Sequence, residues 1–440
     1  MRSASVLAAL IVALGTSCHR SHHTGPAPRV ASPALAPGEP RADAVDLAGL
    51  GLSPDFPTDL PSSARHPDAV RFAWRAFVAA NWPALAGQRG EPDRSRAIGQ
   101  PGSTVWESWK RPFEVFLSDG ARPADWEQYG GAVPPECQGA EPTSKFMFRV
   151  SKSPADSDNP VFERNRQAIG GTLTDQHGLL ARYELAFNKP SFDYIVNNTL
   201  YNVQGQGRFA GPVAFEDGTM EVKAAWRQFT AKDSPAIRAR YYQQQAYIYI
   251  PASGSQPAQC TLQAVGLVGM HVSRKTPSRP QWIWATFEHV DNVPPFGTET
   301  PGSVAYSFND PSCPPSRCRP NKSTEKDDKP TGVPTQVTRV VDIGSDAAAA
   351  NPGWQRKLAG VPGSPWQYYQ LIDVQWPSKP RQMPFGSPYP GLVANTTMET
   401  YVPESSCLKC HSTASTRADR PSDYSYLLAE AHEASTGGQP

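Results

Sequence analysis

In "PDAVRFAWRAFVAANWP" the apolar residues recur at helical spacing. Val70, Phe72, Ala73, Trp74, Phe77 and Ala80 fall on or near one face and Pro83 ends the pattern. The segment therefore predicts a helix starting near Pro67 whose stripe packs into a core. Beyond it the period changes. "YYQQQAYIYIP" and "LQAVGLVGMHVS" alternate, while "PQWIWATFEHV", "TQVTRVVDI" and "QYYQLIDVQWP" are rich in β-branched and aromatic residues. Each predicts a strand. Shorter helices are expected at "MEVKAAWRQF", at "PGWQRKLAG" and at "PSDYSYLLAEAHE", the last capped by Ser422. The expected class is α+β, predominantly antiparallel β with a few short helices.

The polar stretches divide the chain. Residues 19–65 are rich in Pro, Ala, Gly and Ser and poor in large apolar groups, so they read as a flexible tether. Residues 310–332, "DPSCPPSRCRPNKSTEKDDKPTG", read as a surface insertion between strands. No internal repeat stands out, and 66–440 reads as one β-rich body.

The first residues, "MRSASVLAALIVALGTSCHRSHH", add a compartment. Arg2 precedes an apolar run from Val6 to Leu14. As a helix the run would span roughly 13 Å, far short of a bilayer core. It reads as an export signal over residues 1–18. Small residues before Cys18 resemble a lipoprotein signal, although Leu14 sits one position early. Lipidation of Cys18 and ordinary cleavage nearby both remain open. The expected location is periplasmic or cell-envelope, with membrane attachment only through such a lipid. Lys and Arg total 42 against 41 Asp and Glu, a net charge of +1 that offers no bulk attraction for nucleic acid.

Seven cysteines fit an oxidising compartment. Setting aside Cys18, Cys407 and Cys410 leaves Cys137, Cys260, Cys313 and Cys318, for which three connectivities exist. "CPPSRC" is a natural short loop, so 313–318 with 137–260 is the favoured pairing.

The chemistry lies in "ESSCLKCHSTAS". Cys407, Cys410 and His411 form C-x-x-C-H, the attachment pattern of c-type haem. Two sulfurs three residues apart reach adjacent edges of the porphyrin, and the following imidazole meets the iron from the proximal side. A zinc site would need two more close Cys or His ligands, and none is near. A dithiol redox site expects a βαβ setting, and a disulfide across so small a loop would stabilise little. One covalent haem c is therefore expected, with His411 as proximal ligand. A redox partner protein follows as the expected partner.

No methionine follows Met398, so the other side of the iron is filled from upstream, from His432, or left open. If the strands around 262–273 and 281–290 pair with Arg274 opposite Gln281, His271 sits opposite Trp284. Alternation then puts His271, Trp282, Trp284, Thr286 and Glu288 on one face and Met270 and His289 on the other. His271 is the candidate distal ligand. His177, in "TDQHG", reads as a turn residue, and His19, His22 and His23 lie in the tether.

Several segments resemble bacterial exported proteins of the cytochrome c family with one C-terminal haem site. They are "FAWRAFVAANWP", "VWESWK", "FDYIVNNTLY", "VKAAWR", "GLVGMHVSRKTPSRPQWIWATFEHVDN", "YQLIDVQWP", "LVANTTMETY", "SSCLKCH" and "DYSYLL". The resemblance covers most of 70–430 and implies a covalent haem and export, without a substrate. The tail "CLKCHSTASTRADRPSDYSYLL" is also similar to that of the β-fold cytochromes that carry a lysine cross-linked to haem and oxidise hydroxylamine. That similarity implies an open iron acting on a small nitrogen or oxygen species, with Glu288 as a proton-handling group. No cross-linking lysine is assigned. The leading expectation is electron transfer; the alternative is a haem enzyme or a sensor.

Overall fold

The computed structural model describes residues 47–148, 171–252, 255–295, 305–326, 330–380 and 386–435. The signal read over 1–18, Cys18, His19, His22, His23 and the tether up to residue 46 lie outside them. Residues 47–65, read above as the end of the tether, are packed instead. Leu47–Leu50 form a helical turn, and Leu52 and Leu60 are buried in the main core. The leucines provide the apolar area that the Pro-rich average concealed.

Among the described residues eight strands build one mixed, mostly antiparallel sheet: β1 (Phe146–Met147), β2 (Arg182–Phe187), β3 (Met220–Gln228), β4 (Gln243–Ile250), β5 (Gln259–Thr276), β6 (Arg279–His289), β7 (Tyr369–Pro377) and β8 (Pro388–Tyr389). With the few helices this is an α+β fold. The long β5 is the spine, pairing antiparallel with β3, β4 and β6; β1 joins β4 in parallel. Both expected disulfides are present. Cys137–Cys260 ties the approach to β1 to the start of β5, and Cys313–Cys318 closes the short loop of the insertion.

One sheet face is covered by helices. α1 (His66–Ala80) forms where the spacing predicts it, with Pro67 in its first turn. Its Phe77 stacks on Phe287 of β6 at 4.2 Å, and its Trp74 meets Phe287 edge-on at 5.1 Å. Trp74 also stacks at 5.6 Å on Trp354 of the helix Ser345–Ala359, which is longer than "PGWQRKLAG" alone suggests. Asn351 of that helix donates to the Leu371 carbonyl of β7.

Three expectations fail. "MEVKAAWRQF" forms strand β3, whose residues are buried at every position but Lys223. A strand covered on both sides carries no alternation, and pairing with β2 and β5 overrides the helical propensity of Met, Glu, Lys and Ala. "TQVTRVVDI" is extended, with Thr335, Val337 and Arg339 buried. It joins no strand, because its N–H groups go to loop carbonyls, Thr335 to Thr174 and Val337 to Phe308. The 310–332 insertion thus lies between β6 and a helix. "PSDYSYLLAEAHE" gives one 3₁₀ turn, Leu427–Glu430, which Ser422 does not cap.

His66 fastens α1 to its neighbours. Its Nδ1 lies 2.8 Å from Asp346 and its Nε2 2.9 Å from Asp373, and the ring stacks on Trp376. Hydrogen bonding to Asp373 raises its pKa above the usual histidine value, against the opposing effect of burial. A raised folded pKa gives stability that is complete below the unfolded pKa, about 6.5, and is lost as pH rises through the folded value. His66→Gln should therefore cost about 2 kcal/mol at pH 6 and clearly less at pH 9, read from denaturant melts. An equal loss at both pH values would remove the charged clamp.

Candidate functional site

The second face of the sheet is covered by the tail, residues 393–435, and the motif sits within it. The tail is fixed first at its entry. Asn395 Nδ2 donates to Thr286 Oγ1 at 2.8 Å and to the Phe287 carbonyl at 2.9 Å. Thr396 donates from N and Oγ1 to the two oxygens of Glu288, at 2.6 and 2.8 Å. Tyr183 of β2 donates to the Thr397 carbonyl. Gly269 of β5 makes room, since a Cβ there would lie 2.2 Å from Thr397 Oγ1.

The motif forms a single helical turn, Cys407–His411. Ser406 caps it by accepting from Lys409 N–H. So short a helix does not hold itself in water; it borrows stability from β7. The Gln375 carboxamide accepts from Ser406 Oγ at 3.0 Å and from Leu408 N–H at 2.8 Å, and donates to the Pro390 carbonyl at 2.6 Å. Leu408 is fully buried in the main core.

Cys407 and Cys410 are partly exposed and in no disulfide. Three residues apart on a helical turn, they present sulfurs on one side. His411 packs on Trp284 of β6 at 4.2 Å and meets Tyr426 edge-on at 5.1 Å. Its Nδ1 lies 2.7 Å from the Tyr424 carbonyl. A carbonyl can only accept, so Nδ1 carries the proton and Nε2 bears the lone pair, the tautomer that an iron ligand needs. Thiols, spacing and tautomer all fit a covalent haem. Among the described residues no three His, Cys, Asp or Glu side chains converge as a metal site. A haem requires no such cluster, because the porphyrin supplies four nitrogens itself.

The expected face assignment holds, though by another register. Thr276 opposes Arg279 as the turn predicts, but Arg274 opposes Ile283 and His271 opposes Thr286. Two extra β6 residues are absorbed in a bulge around Trp282, whose φ is 67°. A shift of two preserves the faces. His271, Trp284, Thr286 and Glu288 therefore still share one side, with Met270 opposite Phe287 on the other.

The other residues singled out by sequence are engaged elsewhere. His271 Nε2 lies 3.3 Å from Glu399 Oε1, which places a proton on the nitrogen that ordinarily meets a metal. Glu288 is fully buried, ion-paired with Arg339 at 2.5 Å and bonded twice by Thr396. Its acceptor sites are occupied by Arg339 and Thr396, and through Thr396 it anchors the tail. His289 stacks on Tyr241 at 3.8 Å, accepts from Asp291 N–H and donates to the Arg240 carbonyl. Burial lowers its pKa to about 4 and keeps it neutral. Met398 is buried in a separate cluster with Leu173, Tyr183 and Phe229. His177 does occupy a turn, 3.4 Å from Asp233. His432 lies in the stretch bridged to Asn202.

Beneath the tail, burial raises the Glu221 carboxyl to about 7, with Asp423 adding to the effect and Ser425 opposing it. Burial also pushes Tyr424 up to about 12. Gln375, Glu399, Asp423 and the Tyr424 carbonyl were not read from the sequence. A polar residue two places from Asp373 within the buried "LIDVQWP" was the one available signal.

Gln375→Leu keeps the volume and removes all three bonds. It should cost about 3 kcal/mol through buried groups left unsatisfied, and it should speed proteolysis between residues 402 and 412. Equal stability with an unchanged cleavage pattern would show that the motif turn does not depend on β7. Neither protein-family models, curated proteins nor solved structures give a match to this chain.

Proposed function

We propose that this protein is an exported c-type cytochrome that carries one covalent haem on Cys407, Cys410 and His411 and exchanges electrons with a partner protein. The observation that carries the reading is the 2.7 Å bond from His411 Nδ1 to the Tyr424 carbonyl, which orients the ring and leaves Nε2 as the ligating nitrogen. The two neighbouring thiols outside any disulfide support it, whereas four other cysteines pair. Bound haem would supply a one-electron iron couple. The chain's part is to hold the ring: Trp284 and Tyr426 flank the imidazole, and Gln375 fixes the turn. Export, and attachment through Cys18 where it is lipidated, belong to the same proposal. Among the described residues no helix is long and apolar enough to cross a membrane.

A second reading has its own observation. The bond of His271 Nε2 to Glu399 and the burial of Met398 in another cluster favour an iron with an open sixth position. The protein would then act on, or sense, a small nitrogen or oxygen species. His271 and Glu399 would take the proton-handling part that the sequence assigns to Glu288.

Production alongside a haem-attachment system should give a haemochrome spectrum in pyridine and a mass increased by one haem. Cys407→Ala with Cys410→Ala should abolish both, and a colourless wild-type protein would overturn the proposal. Carbon monoxide then separates the readings. A reduced protein that does not bind it is a carrier; one that binds it has an open iron.

A further inference from the structure

Asp423 and Tyr424 are consecutive non-glycine residues in the left-handed region, with φ of 52° and 68°. Each costs about 1–2 kcal/mol there. Such strain persists only where the surroundings over-determine it. Here the turn presents the Tyr424 carbonyl that accepts from His411 Nδ1.

The restraint comes from across the sheet. Asp423 Oδ2 accepts from Lys275 Nζ at 2.6 Å and from Phe215 N–H at 2.8 Å. The Lys275 and Asp423 side chains are only 10% and 11% exposed. Lys275 is the next-to-last residue of β5, and its own backbone is held by Thr219 and Gly218. The turn is closed further by Ser422 N–H on the Ala414 carbonyl and Ser425 N–H on Ser422. A buried ion pair is weak evidence for stability by itself. This one stands on the residue whose strained backbone aims the carbonyl.

We infer that Lys275 and Asp423 are positioning residues, an ionic lock that holds the Asp423–Tyr424 turn left-handed and so fixes the proximal imidazole. The inference rests on the haem reading. Neither residue ligates the iron; both act through the Tyr424 carbonyl. The bond to Nδ1–H makes the ring a better donor and favours ferric iron. Releasing the lock weakens that bond and raises the reduction potential.

The sign of the shift separates positioning from plain charge. Through space, removing the Lys275 cation would favour ferric iron and lower the potential, whereas removing the Asp423 anion would raise it. Through the lock, both substitutions raise it. Lys275→Met and Asp423→Asn are therefore made in the full chain with haem attached, and their midpoint potentials are measured by optical titration. Asn tolerates the left-handed region and keeps an acceptor for Phe215. Both variants should rise, by up to about tenfold in the oxidised-to-reduced equilibrium, or about 59 mV for one electron. Lys275→Arg should return to the wild-type value. A Lys275→Met potential at or below wild type overturns the lock. Lys275→Gln gives the same reading should the methionine variant fail to accumulate. A wild-type protein without haem overturns the haem reading itself, and is detected before any variant is made.

Discussion

A single carboxamide holds the chemical end of this chain to its framework. Gln375 takes two donors from the motif turn and gives one to the Pro390 carbonyl. A five-residue helix has one turn of hydrogen bonds against the entropy of fixing every residue in it. The capping Ser406 contributes, but Ser406 is itself tied to Gln375. The seat of the motif turn therefore follows from where β7 places one side chain, while the Tyr424 carbonyl orients the histidine on it.

This dependence explains the unusual polarity of the sheet. The face towards the helices is apolar, with Met270 opposite Phe287, and Ala285 opposite Val374. The face towards the tail bears Glu221, His271, Lys275, Glu288 and Gln375. Buried groups of this kind are tolerable only when paired. Glu288 has Arg339 and Thr396, Lys275 has Asp423, and His271 has Glu399. Glu221 is the exception, and its carboxyl rises to about 7 because burial outweighs what surrounds it. The pairs also define register, since each charged tail residue has one matching place on the sheet.

Legibility in the sequence followed the range of the interactions. α1 was visible because its stripe is local and one-sided, β4 and β5 because they alternate, and β6 and β7 because β-branched and aromatic runs persist after burial. The short Cys313–Cys318 loop and the motif are local patterns too. β3 was hidden because both of its sides are covered, and the last predicted helix failed because the groups of Ser422 to Leu428 find other partners, some in the tail, such as Ala414 and His411, and some in the body. Gln206 of the body, for example, donates to the Leu428 carbonyl. The hairpin register was missed by the bulge at Trp282, yet its even size left the face assignment intact. Of the site, the three motif residues were legible. Of their supports, Trp284 was placed on the face with His271, but its packing on His411 was not foreseen, and Gln375 and Tyr424 reach the motif only through the fold.

The size of the body follows from the same constraint. The described tail contains little regular structure beyond two short turns and isolated bridges, so it cannot form a core of its own. Its contacts run to β2 through Tyr183, to β5 through His271 and Lys275, to β6 through Thr286 and Glu288, and to β7 through Gln375. Strands that far apart in sequence must all be in place before the motif has a defined shape. The helices on the opposite face pack against those strands, through Phe77 on Phe287 and Asn351 on the Leu371 carbonyl. A tail without a core of its own thus depends on the large body, and the Cys407–His411 turn is among the last parts of the molecule that its framework defines.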